Sequence, residues 1–389
     1  MSITYPGGFR AAGVAAGLKT TGKPDVALVV NDGPLHNAAA VFTSNRVAAA
    51  PVLWSRQVVT DGRVDAVVLN SGGANACTGP EGFQNTHRTA EVTADLLGVS
   101  ATDVFVCSTG LIGEQLPMDR LLAGVTDAAG ALGRGGGPAA AEAIRTTDTV
   151  SKEARYPATA DSASEGYAIG GMAKGAGMLA PGLATMLVVL TTDAALDPGA
   201  LDAALREATR VSFDRTDADG CMSTNDTVVL LASGAAGIAP DQAQFTAALT
   251  QVCLDLAAQL IQDAEGASHT IAVTTVNAVS ERDAEVVSRA VARSNLFKTA
   301  IFGNDPNWGR VLAAVGTTDA VFEPDRLNVA MNGVQICRNG GIGDPRDLVD
   351  LTARDVTVEI DLAAGPASAT IWTNDLTHEY VHENSAYSS

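Results

Sequence analysis

A chain of 389 residues, 46% hydrophobic and 18% charged, has the apolar material for two domains or one large one, which excludes a disordered or fibrous protein. With 25 basic against 44 acidic residues the formal net charge is −19, a surface that repels phosphate backbones and excludes nucleic acid as the expected partner. Aromatic residues make up only 4%, so Ala, Val and Leu must fill the core.

The opening Met1-Ser2-Ile3-Thr4-Tyr5-Pro6-Gly7-Gly8 lacks the basic-then-apolar layout of a signal peptide. Five widely spaced cysteines (Cys77, Cys107, Cys221, Cys253, Cys337) form no Cys-x-x-Cys pair, so neither a disulfide framework nor a thiolate zinc site is implied. The expectation is a reduced, cytoplasmic enzyme. Residues 26–30, 66–69 and 104–107 are short apolar runs followed by turn chemistry, and read as buried strands. The glycine-rich stretch 130–138 is expected to be a flexible loop, and no Gly-Lys-Ser/Thr follows it to bind phosphate. Residues 175–192 carry no charge, close to the length of a membrane span. Gly175, Gly177, Pro181 and Gly182 lie inside that run, so a turn feeding a buried strand at 186–190 is predicted and no membrane segment.

Asp197-Pro198 marks a helix start, with Leu201, Leu205, Ala208 and Val211 at helical spacing. A strand follows at 227–231. The clearest helix covers 241–263, where Phe245, Leu249, Val252, Leu256 and Leu260 share one face. Alternation at 270–276 is strand-like, and Ser280 with Asp283 resembles a capping box opening another helix. Strands are expected at 356–362 and 369–372. Helices and strands are interspersed, so the class is mixed α and β.

Several chemistries fail on context. His378-Glu379-Tyr380-Val381-His382 matches a zinc-binding His-Glu-x-x-His, which needs a helix. Here Tyr380 and Val381 favour extended structure, and a terminal strand with exposed histidines is the preferred reading. No Gly-x-Ser-x-Gly elbow exists for a serine hydrolase, and Cys107 reads as a buried structural thiol. Two segments remain. Residues 104–114 run a strand into Thr109-Gly110, where backbone N–H groups and a hydroxyl can stabilise an oxyanion. Residues 174–187 place Lys174 before a tight turn and Thr185 at a strand start; composition alone favours an ordinary turn.

That second segment, with a Lys-Gly-x-Gly-Met-x-Ala-Pro-x-x-Ala-Thr-Met motif, resembles the ornithine acetyltransferases, or bifunctional glutamate N-acetyltransferases, of arginine biosynthesis. The resemblance runs through GFRAAGVAAGLK (8–19), NSGGANACTG (70–79), CSTGLIGE (107–114) and TTDT (146–149). It continues through MSTNDTV (222–228), GNDPNWGR (303–310) and ENSAYSS (383–389). It implies an α+β fold, with a layered α/β sandwich core shared by two self-cleavage fragments and a smaller C-terminal α/β domain. The fragments would be 1–184 and 185–389, and the structural division roughly 1–280 and 281–389. By resemblance Thr185 is the nucleophile, the Ala184–Thr185 bond is cut, and Thr109 and Gly110 form the oxyanion pair. Thr146, Lys174, Thr185, Glu265, Asn384 and Ser389 match substrate-contacting positions. Two departures are visible, Gly182 in the turn and Ser151 where proline commonly precedes Lys152.

The resemblance implies ping-pong transfer from N-acetyl-L-ornithine to L-glutamate through acetyl-Thr185, with no metal and no cofactor. Acetyl-CoA as a second donor, and a specialised pathway in place of arginine synthesis, stay open. The implied assembly is an α2β2 heterotetramer of the two fragments, with no nucleic-acid or membrane partner. Other readings are an amidase or aminopeptidase using the same threonine, and an uncleaved scaffold protein.

Overall fold

Apolar runs without alternation form strands covered on both faces, whereas alternating runs leave one face half open. Both kinds occur in a computed structural model that describes residues 3–157, 166–179 and 186–386. The chain divides into two units, one of Met1–Asp214 with Cys221–Leu260, the other of Arg215–Gly220 with Ile261–Ser389.

Among the described residues the first unit has nine strands. These are β1 (Phe9–Val14), β2 (Val26–Asn31), β3 (Asn37–Phe42), β4 (Ala66–Asn70), β5 (Val104–Ser108), β6 (Lys152–Tyr156), β7 (Ile169–Lys174), β8 (Leu187–Thr192) and β9 (Thr227–Ala232). One sheet has the order β1-β2-β4-β5 and the other β3-β9-β8-β7-β6. β4 pairs parallel with β5, and β8 parallel with β9; their other neighbours are antiparallel. Every residue of β2, β4, β5, β7, β8 and β9 is buried. The two sheets share a core, in which Val29 and Val67 of one meet Met172, Val189 and Val229 of the other. Phe42 and Phe105 stack across it with centroids 5.8 Å apart.

Helices clothe this sandwich: α1 (Ala50–Val58) and α2 (Gly79–Leu97) pack on β5, α3 (Met118–Gly130) and α4 (Gly137–Ala143) on β1 and β2, and α5 (Pro198–Val211) on β3. Asp197 caps α5 through its carboxylate, which accepts the Ala200 N–H at 3.0 Å, as the sequence predicts. The long predicted helix is α6 (Gln242–Gln262). It needs Gly171 beneath it, because a Cβ there would come within 2.9 Å of Leu256 Cδ1 and 2.9 Å of Leu190 Cδ2. The expected loop 130–138 is shorter than predicted. α3 runs through Gly130 and α4 starts at Gly137, with Pro138 in its first turn, where the missing N–H costs nothing.

The second unit is one six-stranded sheet with β10 (Thr270–Ala278), β11 (Asn328–Met331), β12 (Val334–Arg338), β13 (Gly341–Ile342), β14 (Asp355–Asp361) and β15 (Ala367–Asn374). Its order is β13-β12-β11-β14-β10-β15. β14 alternates exposed and buried residues, so one face builds the core with α7 (Glu281–Ala292). Ser280 caps α7, accepting the Asp283 N–H at 3.1 Å. α8 (Asn295–Phe302) and α9 (Trp308–Val315) complete that core. The boundary after Leu260 and the expected division after residue 280 differ by β10, which pairs with β14 and β15 in this unit.

The segment read as a terminal strand is a helix, α10 (His378–Ala386). Thr377 starts it: its hydroxyl accepts the Tyr380 N–H at 2.9 Å and donates to Gly266 O at 2.6 Å. A threonine cap outweighs the extended preference of Tyr380 and Val381. His378 packs edge-on against Phe302, and no group of three metal-ligating side chains exists among the described residues. No helix among them is long and apolar enough to cross a membrane.

Leu190 is fully buried in the central strand β8. Leu190→Ala is expected to destabilise the first unit by about 2–5 kcal/mol, read as a lowered thermal midpoint.

Candidate active site

β5 delivers its chain end to a turn built from two glycine-rich segments. Beyond Ser108, the Thr109 N–H donates to Asn70 O at 2.9 Å, and Thr109 O accepts the Gly73 N–H at 3.1 Å. Asn70 also accepts the Ser108 hydroxyl at 2.6 Å and donates its amide to Gly73 O at 3.0 Å. These bonds commit the Thr109 N–H to the fold. What stays available is the Thr109 hydroxyl and the Gly110 N–H, which has no acceptor among the described residues. Gly110 has φ +133°, and a Cβ there would lie 2.6 Å from Gly73 N. Only glycine fits.

The second sheet brings Lys174, the last residue of β7, to the same place. Lys174 Nζ donates to Thr109 Oγ1 at 3.3 Å, with both side chains almost fully buried. Asp148 supports this lysine from behind. Its Oδ1 accepts Lys152 Nζ at 2.6 Å and the Gly175 N–H at 2.7 Å, and its Oδ2 accepts the Thr146 N–H at 3.0 Å. Burial pushes the Asp148 carboxyl up. The charges of Lys174 and Lys152 and the Gly175 N–H outweigh that, so it titrates below the usual carboxylate range. Lys19 lies in the same electrostatic neighbourhood. Burial, helped by the Lys174 charge, brings its pKa down to about 8 against the opposing pull of Asp25, Glu142 and Asp148.

One further loop reaches both halves of the site. Residues 223–226 precede β9, and the Asn225 amide donates to Ser108 O at 2.7 Å and Ala74 O at 2.6 Å. Asp226 Oδ1 accepts the Met186 N–H at 3.1 Å, and the Thr227 N–H donates to Met186 O at 3.2 Å.

In the second unit, Asn384 donates its amide to Glu265 Oε2 at 3.0 Å and to Tyr380 O at 3.0 Å. Asp375 shapes the turn carrying Glu265, accepting the Ser268 and His269 N–H groups at 3.0 and 2.9 Å and pairing with His269 Nδ1 at 2.8 Å.

The structure therefore brings Thr109, Gly110, Thr146 and Lys174 together in one unit, and Glu265 with Asn384 in the other. Ala184, Thr185, Ser389 and the departure Gly182 lie outside the described residues. Ser151, the other departure, donates its hydroxyl to Glu142 at 2.8 Å. Sequence reasoning missed Asp148, Lys152, Asn225 and Asp226 as site residues. Their signal was present, since Asp148 sits in TTDT and the adjacent pair in MSTNDTV, but nothing local marks which polar residues become buried. Cys107 is, as read, a fully buried thiol whose pKa burial pushes up.

A buried lysine touching a hydroxyl, beside a glycine N–H with no acceptor among the described residues, is an arrangement able to stabilise an oxyanion, in a layered α/β fold. The model of the ArgJ family matches residues 10–389. The arginine biosynthesis bifunctional protein ArgJ of Streptomyces coelicolor is 65% identical over 389 residues, covering all of both chains, and that of Thermobifida fusca is likewise 65% identical over the same span. A crystal structure of ornithine acetyltransferase complexed with ornithine from Mycobacterium tuberculosis is 53% identical, covering 48% of this chain and 96% of that one with a TM-score of 0.43. The chain belongs to the ArgJ family, and is an acetyltransferase of arginine biosynthesis.

Asp148→Asn leaves Lys152 buried without its carboxylate, and should destabilise the first unit by about 3–5 kcal/mol. The depressed pKa gives the sign of the pH effect: the stabilisation is complete above the unfolded value of about 3.9 and is lost as pH falls through the folded one. Urea unfolding of Asp148→Asn should lack that part of the acid slope. Gly110→Ala, which forces Cβ into Gly73, should lower turnover about 10²-fold or more, measured as kcat.

Proposed function

We propose that this chain cuts itself between Ala184 and Thr185, and then moves the acetyl group of N-acetyl-L-ornithine to L-glutamate through an acetyl ester on Thr185. The observation that carries the reading is the convergence of Lys174 Nζ on Thr109 Oγ1, with the Gly110 N–H left to donate. No histidine is hydrogen-bonded to Thr109 or Lys174 among the described residues, so a base must come from elsewhere. An α-amino group freed at Thr185, with an ordinary pKa of about 7.7–8.0, supplies it near neutral pH.

In the first half-reaction the amine takes the Thr185 hydroxyl proton while Oγ attacks the acetyl carbonyl. Thr109 Oγ–H and the Gly110 N–H hold the oxyanion, and the proton passes to the departing α-nitrogen of ornithine. In the second, the glutamate amine attacks the ester and returns a proton to Oγ. Lys174 is assigned the substrate carboxylate and Glu265 the ornithine side-chain ammonium, each a charge-assisted pair. Thr146, Asn384 and Ser389 complete the substrate contacts in this reading. Water must be excluded from the ester, or the enzyme becomes a hydrolase. The mature protein is proposed to be an α2β2 assembly of fragments 1–184 and 185–389 in the cytoplasm, in keeping with five free thiols.

Intact mass of purified protein should show two fragments in place of a single 39.6 kDa chain, and Thr185→Ala should abolish both cleavage and transfer. An uncut active chain would overturn the reading. Acetyl-ornithine and acetyl-CoA, each assayed with and without glutamate, separate a one-donor from a two-donor transferase, and glutamate-independent release of acetate would indicate an amidase. Glu265→Gln should raise KM for acetyl-ornithine; unchanged donor affinity would remove Glu265 from its assigned role.

A further inference from the structure

Asp226 is fully buried, and its two oxygens are unequally used. Oδ1 accepts the Met186 N–H, while Oδ2 has no hydrogen-bond partner among the described residues. The nearby Thr43 hydroxyl is turned away, donating to Ser223 O at 2.7 Å. The loop carrying Asp226 is itself fixed: the Thr43 N–H donates to Asp226 O at 2.9 Å, and the Asn225 N–H to Ser223 Oγ at 3.1 Å. Asn225, one residue earlier, spends both amide hydrogens on carbonyls flanking the oxyanion turn, those of Ser108 and Ala74. Its own Oδ1 is oriented by the Thr224 hydroxyl at 2.6 Å.

We propose that Asn225 and Asp226 act as a positioning pair, two adjacent side chains of one rigid loop that register the start of the nucleophile strand against the oxyanion turn. The reasoning is geometric. The parallel pairing of β8 with β9 begins at Leu187 opposite Thr227, so the residue before each strand stands beside the other. Both polar backbone groups of Met186 are held there, N–H by the Asp226 side chain and C=O by the Thr227 N–H. A peptide unit is planar, so holding both the Met186 N–H and its C=O fixes the orientation of the backbone that enters β8. Asn225 holds Ser108 and Ala74, which stand next to Thr109 and Gly73. A loop that grips both partners sets the distance between them, and an error of about 1 Å can cost about 10²-fold in rate.

The chemistry of Asp226 fits a holder. Burial pushes its carboxyl well above the usual range; the Met186 N–H and the Lys174 charge offset only part of that. A carboxyl that accepts one N–H through a single oxygen is mimicked by an amide of the same shape.

The inference rests on the function proposed above, and the test separates the two. Freshly made wild type, Asp226→Asn and Asp226→Leu are followed by intact mass for self-cleavage, and their cleaved fractions are assayed for kcat, KM and thermal midpoint. Asp226→Asn retains the acceptor and should cleave and turn over within about threefold of wild type. Asp226→Leu should lose about 10- to 100-fold in cleavage rate and in kcat, with KM for acetyl-ornithine unchanged. If the leucine chain does not fold, Asp226→Ala takes its place. An apolar variant with wild-type kcat, or Asp226→Asn slowed tenfold or more, overturns the positioning role. A wild-type chain that never splits overturns the earlier reading instead.

Discussion

One buried carboxylate organises the centre of the first unit. Asp148 meets Lys152, the Gly175 N–H and the Thr146 N–H at once, and the charge of Lys174, which bonds to Thr109, also acts on it. Two ammonium groups so deeply buried need a counter-charge. The network is therefore more than an ion pair. It ties the TTDT turn to the start of β6 and the end of β7, and so determines where the Lys174 side chain can point.

The sandwich explains why this junction is available. β5 belongs to one sheet, while β7 and β8 belong to the other, and a shared Val- and Ala-rich core holds the two together. Small residues suit that arrangement, because few large side chains separate the layers. At the ends of β4 and β5, neighbours in one sheet, the backbones of Gly73 and Gly110 come close enough to exclude a methyl group. Such a turn is rigid, and donors fixed in this way need not reorganise when charge develops beside them.

Membership of the ArgJ family gives these contacts a chemical purpose. Acetyl transfer needs a polarised carbonyl and the exclusion of water, and a buried lysine beside backbone donors is suited to both. The charge balance of the chain bears on the surface and on partners.

Much of the secondary structure was legible from local pattern. The run 26–30, the cap at Asp197 and the five-residue apolar face of α6 each specify an element through nearest neighbours and periodicity. His378 to His382 was misread because a cap at Thr377 depends on a partner at Gly266, more than a hundred residues away. The motifs identified the family, and by resemblance pointed to Thr109, Gly110 and Lys174. They did not show that Asp148 would pair with Lys152 within reach of the Lys174 charge, or that Asn225 and Asp226 would hold two different segments of the fold. Sequence by itself determined which stretches form strands, helices and turns, and which chemistry is present. Only the tertiary structure decided which polar side chains are taken out of water together, because burial and pairing across hundreds of residues have no local signature.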